Sequence, residues 1–183
     1  MTGVQTCALP IYDDPVRRSL LRKIVRTPGS VATLIEKGQI DFIFDALMAD
    51  KDKKFRGEML LAMLAAPDAT AAVVEHGKLA QLLKFAKDHS DAAVHKNILE
   101  QLFRSRNVVK KLLEDPGFDA LIEMVSEEPD PRSRGSLLAN LMISNDMVNY
   151  VTANGKSDLF VTLAKAETDL VARRAYLDRL FQR

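Results

Sequence analysis

The sequence predicts an all-α fold made of stacked helical repeats, and three columns of residues at a constant interval predict it. An aspartate, a basic residue and a leucine each recur five times, 39 residues apart. The aspartate column is Asp13, Asp52, Asp91, Asp130 and Asp169. The basic column is Arg17, Arg56, His95, Arg134 and Arg173, and the leucine column is Leu21, Leu60, Leu99, Leu138 and Leu177. A fixed period of this length indicates an array in which each repeat packs on its neighbours.

Composition agrees with this fold class and disfavours some classes of partner. Of 183 residues, 47% are hydrophobic and 6% aromatic, so the chain is rich enough in aliphatic side chains to bury a core. A net charge of +1 favours neither nucleic acid nor a membrane as a partner. No run approaches the roughly 18 apolar residues of a membrane-spanning helix. With one cysteine and no secretory signal, we expect a cytoplasmic protein.

Residues 1–11, MTGVQTCALPI, show neither the repeat register nor a helical stripe. They are similar, at eleven consecutive positions, to the translation of a common sequencing adapter whose GTG codon is read as a starting Met. We therefore expect a non-native segment, which removes Cys7 from any functional argument. We also expect the native chain to begin inside a repeat.

The repeat array is predicted to occupy residues 12–183. Residues 12–29 match only the last helix of a repeat, with Val16, Leu20, Leu21 and Ile24 as its apolar stripe. Four full repeats follow at 30–68, 69–106, 107–146 and 147–183. We expect the ends of this truncated array to self-associate or to fray, because an internal repeat exposes apolar surface on both sides.

Each full repeat is predicted to contain three helices. The first is short and stops at a glycine, namely Gly38, Gly77, Gly117 or Gly155, because glycine adopts the left-handed conformation without strain. The second has an apolar stripe such as Ile40, Ile43, Phe44 and Leu47, and the last repeat has a weaker one. The third begins at the aspartate column, because an Asp carboxylate accepts hydrogen bonds from the first turn of a helix.

This organisation resembles a known repeat family. Three helices and a glycine in about 40 residues resemble the armadillo repeat, and LIEKGQIDFI, VVEHGKLAQLL and YVTANGKSDLF are similar to its second-helix entry. The segment DDPVR resembles the start of the sister HEAT repeat. The resemblance covers residues 13–183 and implies a right-handed α-solenoid whose third helices line a concave surface. It also implies that the basic column makes contacts between repeats.

The position of the basic column supports a structural role. The column lies within about 60° of the centre of the apolar stripe, inside the arc that faces neighbouring helices. Each arginine is expected to lay its stem on apolar surface and to bond a carboxylate or a backbone carbonyl. A ladder that binds an acidic peptide or phosphates is the alternative.

The exposed face of the third helices is the candidate site for a partner. Its residues are Lys54, Glu58, Leu61, Asn97, Glu100, Arg104, Arg132, Ser136 and Asn140. An ordinary solvated face is an equal alternative, since its charges are mixed. Asn140 resembles one rung of the asparagine ladder of peptide-binding armadillo proteins, but Lys23, Ala62, Gln101 and Arg179 occupy the equivalent positions. The resemblance therefore does not extend to that mode of peptide recognition.

The sequence predicts no catalytic, cofactor or metal site. His76, His89 and His95 have no second ligand at helical spacing, and His76 and His89 are predicted to lie on the surface. Glu127 and Glu128 lie in the turn EEPDP, where solvated side chains are expected. We therefore predict a non-catalytic scaffold that binds another protein or peptide. The alternative is a HEAT-like DNA glycosylase, lyase or other nucleic-acid-binding module whose key residues lie in missing repeats.

Overall fold

The regular elements of the chain are α-helices. The computed structural model describes residues 14–89, 91–114, 117–142 and 144–181, and it contains no strand in these ranges. The all-α prediction is therefore confirmed, whereas residues 1–11 and Asp13 lie outside the described residues. The helices are α1 (Asp14–Arg26), α2 (Ser30–Glu36), α3 (Ile40–Met48), α4 (Lys53–Leu64), α5 (Ala69–Glu75), α6 (Leu79–Asp88), α7 (Ala92–Arg104), α8 (Arg106–Glu114), α9 (Gly117–Ser126), α10 (Pro131–Leu141), α11 (Asn145–Ala153), α12 (Ser157–Ala166) and α13 (Leu170–Phe181).

After α1, the helices follow one another in groups of three. The first helices of the groups, α2, α5, α8 and α11, begin at Ser30, Ala69, Arg106 and Asn145. The last two begin one and two residues before the predicted repeat boundaries at 107 and 147. The third helices, α4, α7, α10 and α13, begin at 53, 92, 131 and 170, at the constant 39-residue interval.

Glycine ends the first helix of three groups. Gly38, Gly77 and Gly155 have φ angles of 62°, 73° and 64°, in the left-handed region. At the first of them, the N–H groups of Gly38 and Gln39 donate to Ile35 and Leu34 at 2.9 and 2.8 Å, which satisfies carbonyls at the helix end. These positions agree with the prediction from sequence.

Gly117 behaves differently, and the prediction was wrong there. It is the first residue of α9, so it does not end a first helix. The physical reason is a shift of one residue: the position 39 residues after Gly77 holds a proline, and the glycine follows it.

Equivalent helices of successive groups pack on one another. The third helices contact in the order α1, α4, α7, α10 and α13, and the first helices contact in the order α2, α5, α8 and α11. The leucine column lies in this core, since Leu21, Leu60, Leu99 and Leu138 are all at most 5% exposed. Burial of these side chains is the main favourable contribution to folding.

The apolar stripe of α1 is only half covered. Leu21 and Val25 are buried, but Val16 and Leu20 are 48% and 45% exposed. The reason is that the described residues place α2 and α4 against α1, and these helices cover only part of its stripe. In α13, Leu177 packs against the core.

Among the described residues, no single helix has both the length and the apolar composition to cross a membrane. The pair α4 and α5 meets these two criteria only when joined across its 105° bend.

Candidate functional site

The predicted partner-binding face lies on α4, α7 and α10. Its exposed side chains are Lys54, Glu58, Asn97, Arg104, Arg132 and Ser136, and its half-buried ones are Leu61, Glu100 and Asn140. We call this set the third-helix face. Because α4, α7 and α10 contact one another in succession, these residues belong to one continuous row of helices.

The charges of the third-helix face are partly tied to neighbours. The Nε of Arg132 donates to the carboxylate of Asp169 at 3.1 Å, and the Nζ of Lys96 lies 3.9 Å from Glu100. The side chain of Asn97 donates to the carbonyl of Ala93 one turn earlier, at 2.8 Å. These contacts orient the face and leave its overall charge mixed.

A polar cavity of about 340 Å³ adjoins this face. It lies between the turn that joins α4 to α5 and the C-terminal end of α7, where Gln101 and Arg104 line it. Across from them is Asp68, a non-glycine residue with a φ of 60°. Such a left-handed aspartate is uncommon and mildly strained.

The aspartate column caps the third helices. Asp52 accepts a hydrogen bond from the backbone N–H of Phe55 at 3.1 Å, and Asp91 accepts one from Ala93 at 2.9 Å. Asp130 accepts from the N–H of Ser133 at 3.0 Å and from its hydroxyl at 2.6 Å. These bonds hold the pKa of Asp130 below its usual value, and they satisfy N–H groups that a helix cannot satisfy internally.

A second column, which the sequence analysis missed, lies two residues before each cap. Its members are Asp50, His89, Glu128 and Glu167, and we call it the acceptor column. Each side chain accepts a hydrogen bond from the backbone N–H of the capping aspartate that follows it, at 2.9 to 3.3 Å. The signal in the sequence was the 39-residue interval itself, but the column is chemically mixed and so less conspicuous than the aspartates.

The basic and acceptor columns pair residues of successive helix groups, and we call a basic residue together with the acceptor residue 33 positions later a rung. A direct bond joins the two residues in the first and fourth rungs. In the first rung, the Nη2 of Arg17 donates to Asp50 at 2.9 Å, and in the fourth, the Nε of Arg134 donates to Glu167 at 3.2 Å. The acceptor carboxylates are 0% and 1% exposed, so both ion pairs are shielded from water on the acidic side.

Asp50 has a second arginine in addition to Arg17. Arg18 donates through Nη2 at 2.8 Å and through Nε at 3.0 Å. Burial raises the pKa of Asp50, but hydrogen bonds from Arg18, from the backbone of Asp52 and from Arg17 outweigh that effect and hold the pKa below its ordinary value. The hydrogen bond to Asp50 likewise raises the pKa of Arg18.

The two inner rungs contain histidine. His89 occupies the acceptor position opposite Arg56, and His95 occupies the basic position opposite Glu128. The Nε2 of His95 is buried without a hydrogen-bond partner among the described residues. An Arg–carboxylate pair is therefore found only in the outer two of these four rungs.

One expectation about this region was wrong. Glu128 was expected to be solvated but is only 3% exposed, because its carboxylate turns inward to accept the N–H of Asp130. His89, which was expected on the surface, is half-buried, and both of its ring nitrogens are hydrogen-bonded to the backbone.

A cavity of about 250 Å³ lies beside Arg56 in the second rung. It is formed by the end of α3, the start of α4 and the second half of α6. The guanidinium of Arg56 lies 5.3 Å from the ring centre of Phe85, which forms part of the wall.

No group of three or more His, Cys, Asp or Glu side chains in the described ranges is arranged to hold a metal ion. Comparison of the chain with protein-family models, with curated proteins and with solved structures finds no match.

Proposed function

We propose that the chain is a right-handed α-solenoid of armadillo-like repeats that acts as a non-catalytic scaffold for another protein or peptide. Groups of three helices, left-handed glycines and third helices at a 39-residue interval support this assignment. In such an array each repeat contacts only its neighbours, and the shared surface is long.

The observation that carries the proposal is the continuity of the third helices. Helices α4, α7 and α10 pack in succession while Lys54, Asn97 and Ser136 remain exposed on them. A continuous row of exposed polar side chains on a rigid support can bind an extended segment by many small contacts.

The charge of the third-helix face favours a polypeptide over a nucleic acid. Lys54, Arg104 and Arg132 are offset by Glu58 and Glu100, and Arg132 is already paired with Asp169. Proteins that bind nucleic acid without base readout need several free cations along the phosphate backbone. A mixed face matches instead the polar rim of an ordinary protein interface.

Site-specific photo-crosslinking tests the proposal. A photoreactive residue placed at Asn97 or Ser136 is expected to give the same discrete protein adduct in cell extract. The matched control is Lys110, an exposed residue of α8, where this adduct should be absent. The proposal fails if the adducts at Asn97 and Ser136 are missing, or if Lys110 gives them equally.

A further inference from the structure

The second rung lacks a carboxylate that the first and fourth rungs have. Arg17 and Arg134 each donate to a buried acidic side chain 33 residues later. The residue 33 positions after Arg56 is His89. Among the described residues, Arg56 therefore forms no ion pair with an acidic side chain, unlike Arg17 and Arg134.

The donors of Arg56 are only partly used. Its Nη1 donates to the carbonyl of Met48 at 3.1 Å, and its guanidinium lies over Phe85. Its Nε is buried and has no acceptor among the described residues. In Arg134, by comparison, Nη1 also meets a backbone carbonyl, while Nε donates to Glu167. A carboxylate therefore supplies at Arg134 the Nε acceptor that Arg56 lacks, whereas Arg17 meets its carboxylate through Nη2 and also has a buried Nε without an acceptor among the described residues.

His89 does not replace the missing carboxylate. The N–H of Asp91 donates to Nδ1 of His89 at 3.1 Å, so Nδ1 carries no proton. The proton lies on Nε2, which donates to the carbonyl of Lys53 at 3.1 Å. The ring is therefore neutral, and both nitrogens are occupied by the backbone.

Gly57 makes room for this arrangement. A Cβ at Gly57 would lie 2.9 Å from Nε2 of His89, closer than side-chain atoms tolerate. The equivalent residue one repeat earlier is Arg18, which clamps Asp50. In the second rung, Gly57 thus stands where the first rung has Arg18, and the neutral His89 stands where it has the carboxylate of Asp50. The charge of Arg56 is therefore not balanced by its rung partner.

The cavity beside Arg56 is suited to an acidic side chain. Its lining combines the apolar surfaces of Met48 and Phe85 with three cations, Lys53, Arg56 and Lys84, against one carboxylate, Asp88. Neither lysine forms an ion pair with an acid in the described part of the chain. Its volume of about 250 Å³ is below the roughly 300–1,000 Å³ of cavities that hold whole small-molecule ligands. The cavity is therefore of a size to hold a single amino-acid side chain.

We propose that this cavity binds the carboxylate of a glutamate side chain from a partner polypeptide, in the role that Glu167 has toward Arg134. The aliphatic part of the glutamate packs on Phe85 and Met48, while its carboxylate meets Arg56 and the two lysines at the rim. This inference rests on the proposed scaffold function and specifies the chemistry of one contact.

Nuclear magnetic resonance with defined peptides provides the test. A capped peptide with one central glutamate among alanines is titrated into the full chain, and the Nε–H signal of Arg56 is followed. The glutamate peptide should shift this signal, and the same peptide with glutamine should not. Inorganic phosphate at equal ionic strength should bind more weakly. If the glutamine peptide acts equally, or if phosphate binds more tightly, the assignment of a glutamate carboxylate is wrong.

Substitution of His89 gives a sharper test, because it can restore the rung. His89→Glu places an internal carboxylate opposite Arg56 and should abolish the response to the glutamate peptide without lowering the melting temperature. His89→Gln keeps an acceptor for the N–H of Asp91 but adds no charge, and it should preserve the response. Full peptide binding by the His89→Glu variant would overturn the proposal.

Lysine variants provide a test that does not require a new carboxylate opposite Arg56. Lys84→Ala should weaken peptide binding by about two- to fivefold, the loss expected for one exposed ion pair. Lys110→Ala, on α8, should leave binding unchanged. Equal effects of the two variants would contradict the proposal. Because the crosslinking test uses Asn97 and Ser136, the scaffold function and the glutamate cavity can fail independently.

Discussion

The first rung should be a strong local contribution to stability, and Asp50→Asn measures it. The substitution removes the charge of a side chain that is 0% exposed while keeping its shape. Arg17 and Arg18, which are 26% and 28% exposed, then face a neutral amide whose N–H₂ group is a donor like their own. The N–H of Asp52 can still find an oxygen at position 50, so its helix cap is retained.

The magnitude follows from the burial of the pair. Removing one partner of a fully buried ion pair costs about 3–5 kcal/mol. Since both guanidiniums keep roughly a quarter of their exposure, we expect a smaller loss of about 2–4 kcal/mol. The matched control is Asp45→Asn, which removes the 2.7 Å pair with Lys78 at a carboxylate that is 52% exposed. That variant should lose about 0–1 kcal/mol.

Urea denaturation followed by circular dichroism at pH 7 compares the two variants. Amide exchange should locate the effect, with faster exchange in α1 and α4 for Asp50→Asn and no local change there for Asp45→Asn. This second measurement matters because a chain of successively packed helix groups need not unfold in one step. If Asp50→Asn costs no more than its control, the first rung is not a stabilising ion pair and the reasoning is refuted.

Four further outcomes are expected. The stability difference between the parent chain and Asp50→Asn should be constant above about pH 5 and should shrink as the pH falls below about 4. The reason is that the pKa of Asp50 is lowered in the folded state, so the stability that its carboxylate contributes is lost when it is protonated. Acid titration of both proteins checks this. Gly57→Ala should lower the free energy of unfolding by about 1–2 kcal/mol through crowding of His89, although helix propensity alone predicts a gain of about 1 kcal/mol; a urea melt decides the sign. Arg134→Ala should destabilise more than Arg56→Ala in the same assay, since it leaves the buried carboxylate of Glu167 unpaired. Deletion of residues 1–11 should leave the melting temperature unchanged; a loss above about 1 kcal/mol would show that the segment is structural.

The sequence predicts the helices well because their signals are local and repeated. A short polar side chain before an apolar stripe requires little context to act as an N-cap, and Asp52, Asp91 and Asp130 do so. The apolar stripes of these helices are also a local signal, because helical spacing alone decides which side chains share the face that packs on the core. Gly117 shows the limit of a single pattern, because one shifted residue turns a helix stop into a helix start.

The rungs were harder to predict because their partners are distant in the chain and chemically unequal. Glu128 sits in a turn whose composition suggests solvent, yet its carboxylate is buried and accepts the N–H of Asp130. His89 could be recognised as part of a column only by comparing it with Asp50 and Glu167 across the 39-residue period. The cavity beside Arg56 could not be predicted at all, since its chemistry depends on the absence of a carboxylate at position 89 of the acceptor column.

The separation between rung partners is constant at 33 positions, even where the helices between them differ in length. Helix α8 has nine residues where α5 has seven, and it begins earlier in its repeat, yet His95 and Glu128 keep the same separation as Arg17 and Asp50. Helix lengths and turns can therefore vary inside a repeat provided that their total is preserved. An insertion of one residue between Arg134 and Glu167 would displace the acceptor even if every helix still formed. In the first and fourth rungs, the buried ion pairs thus constrain the number of residues between one helix group and the next.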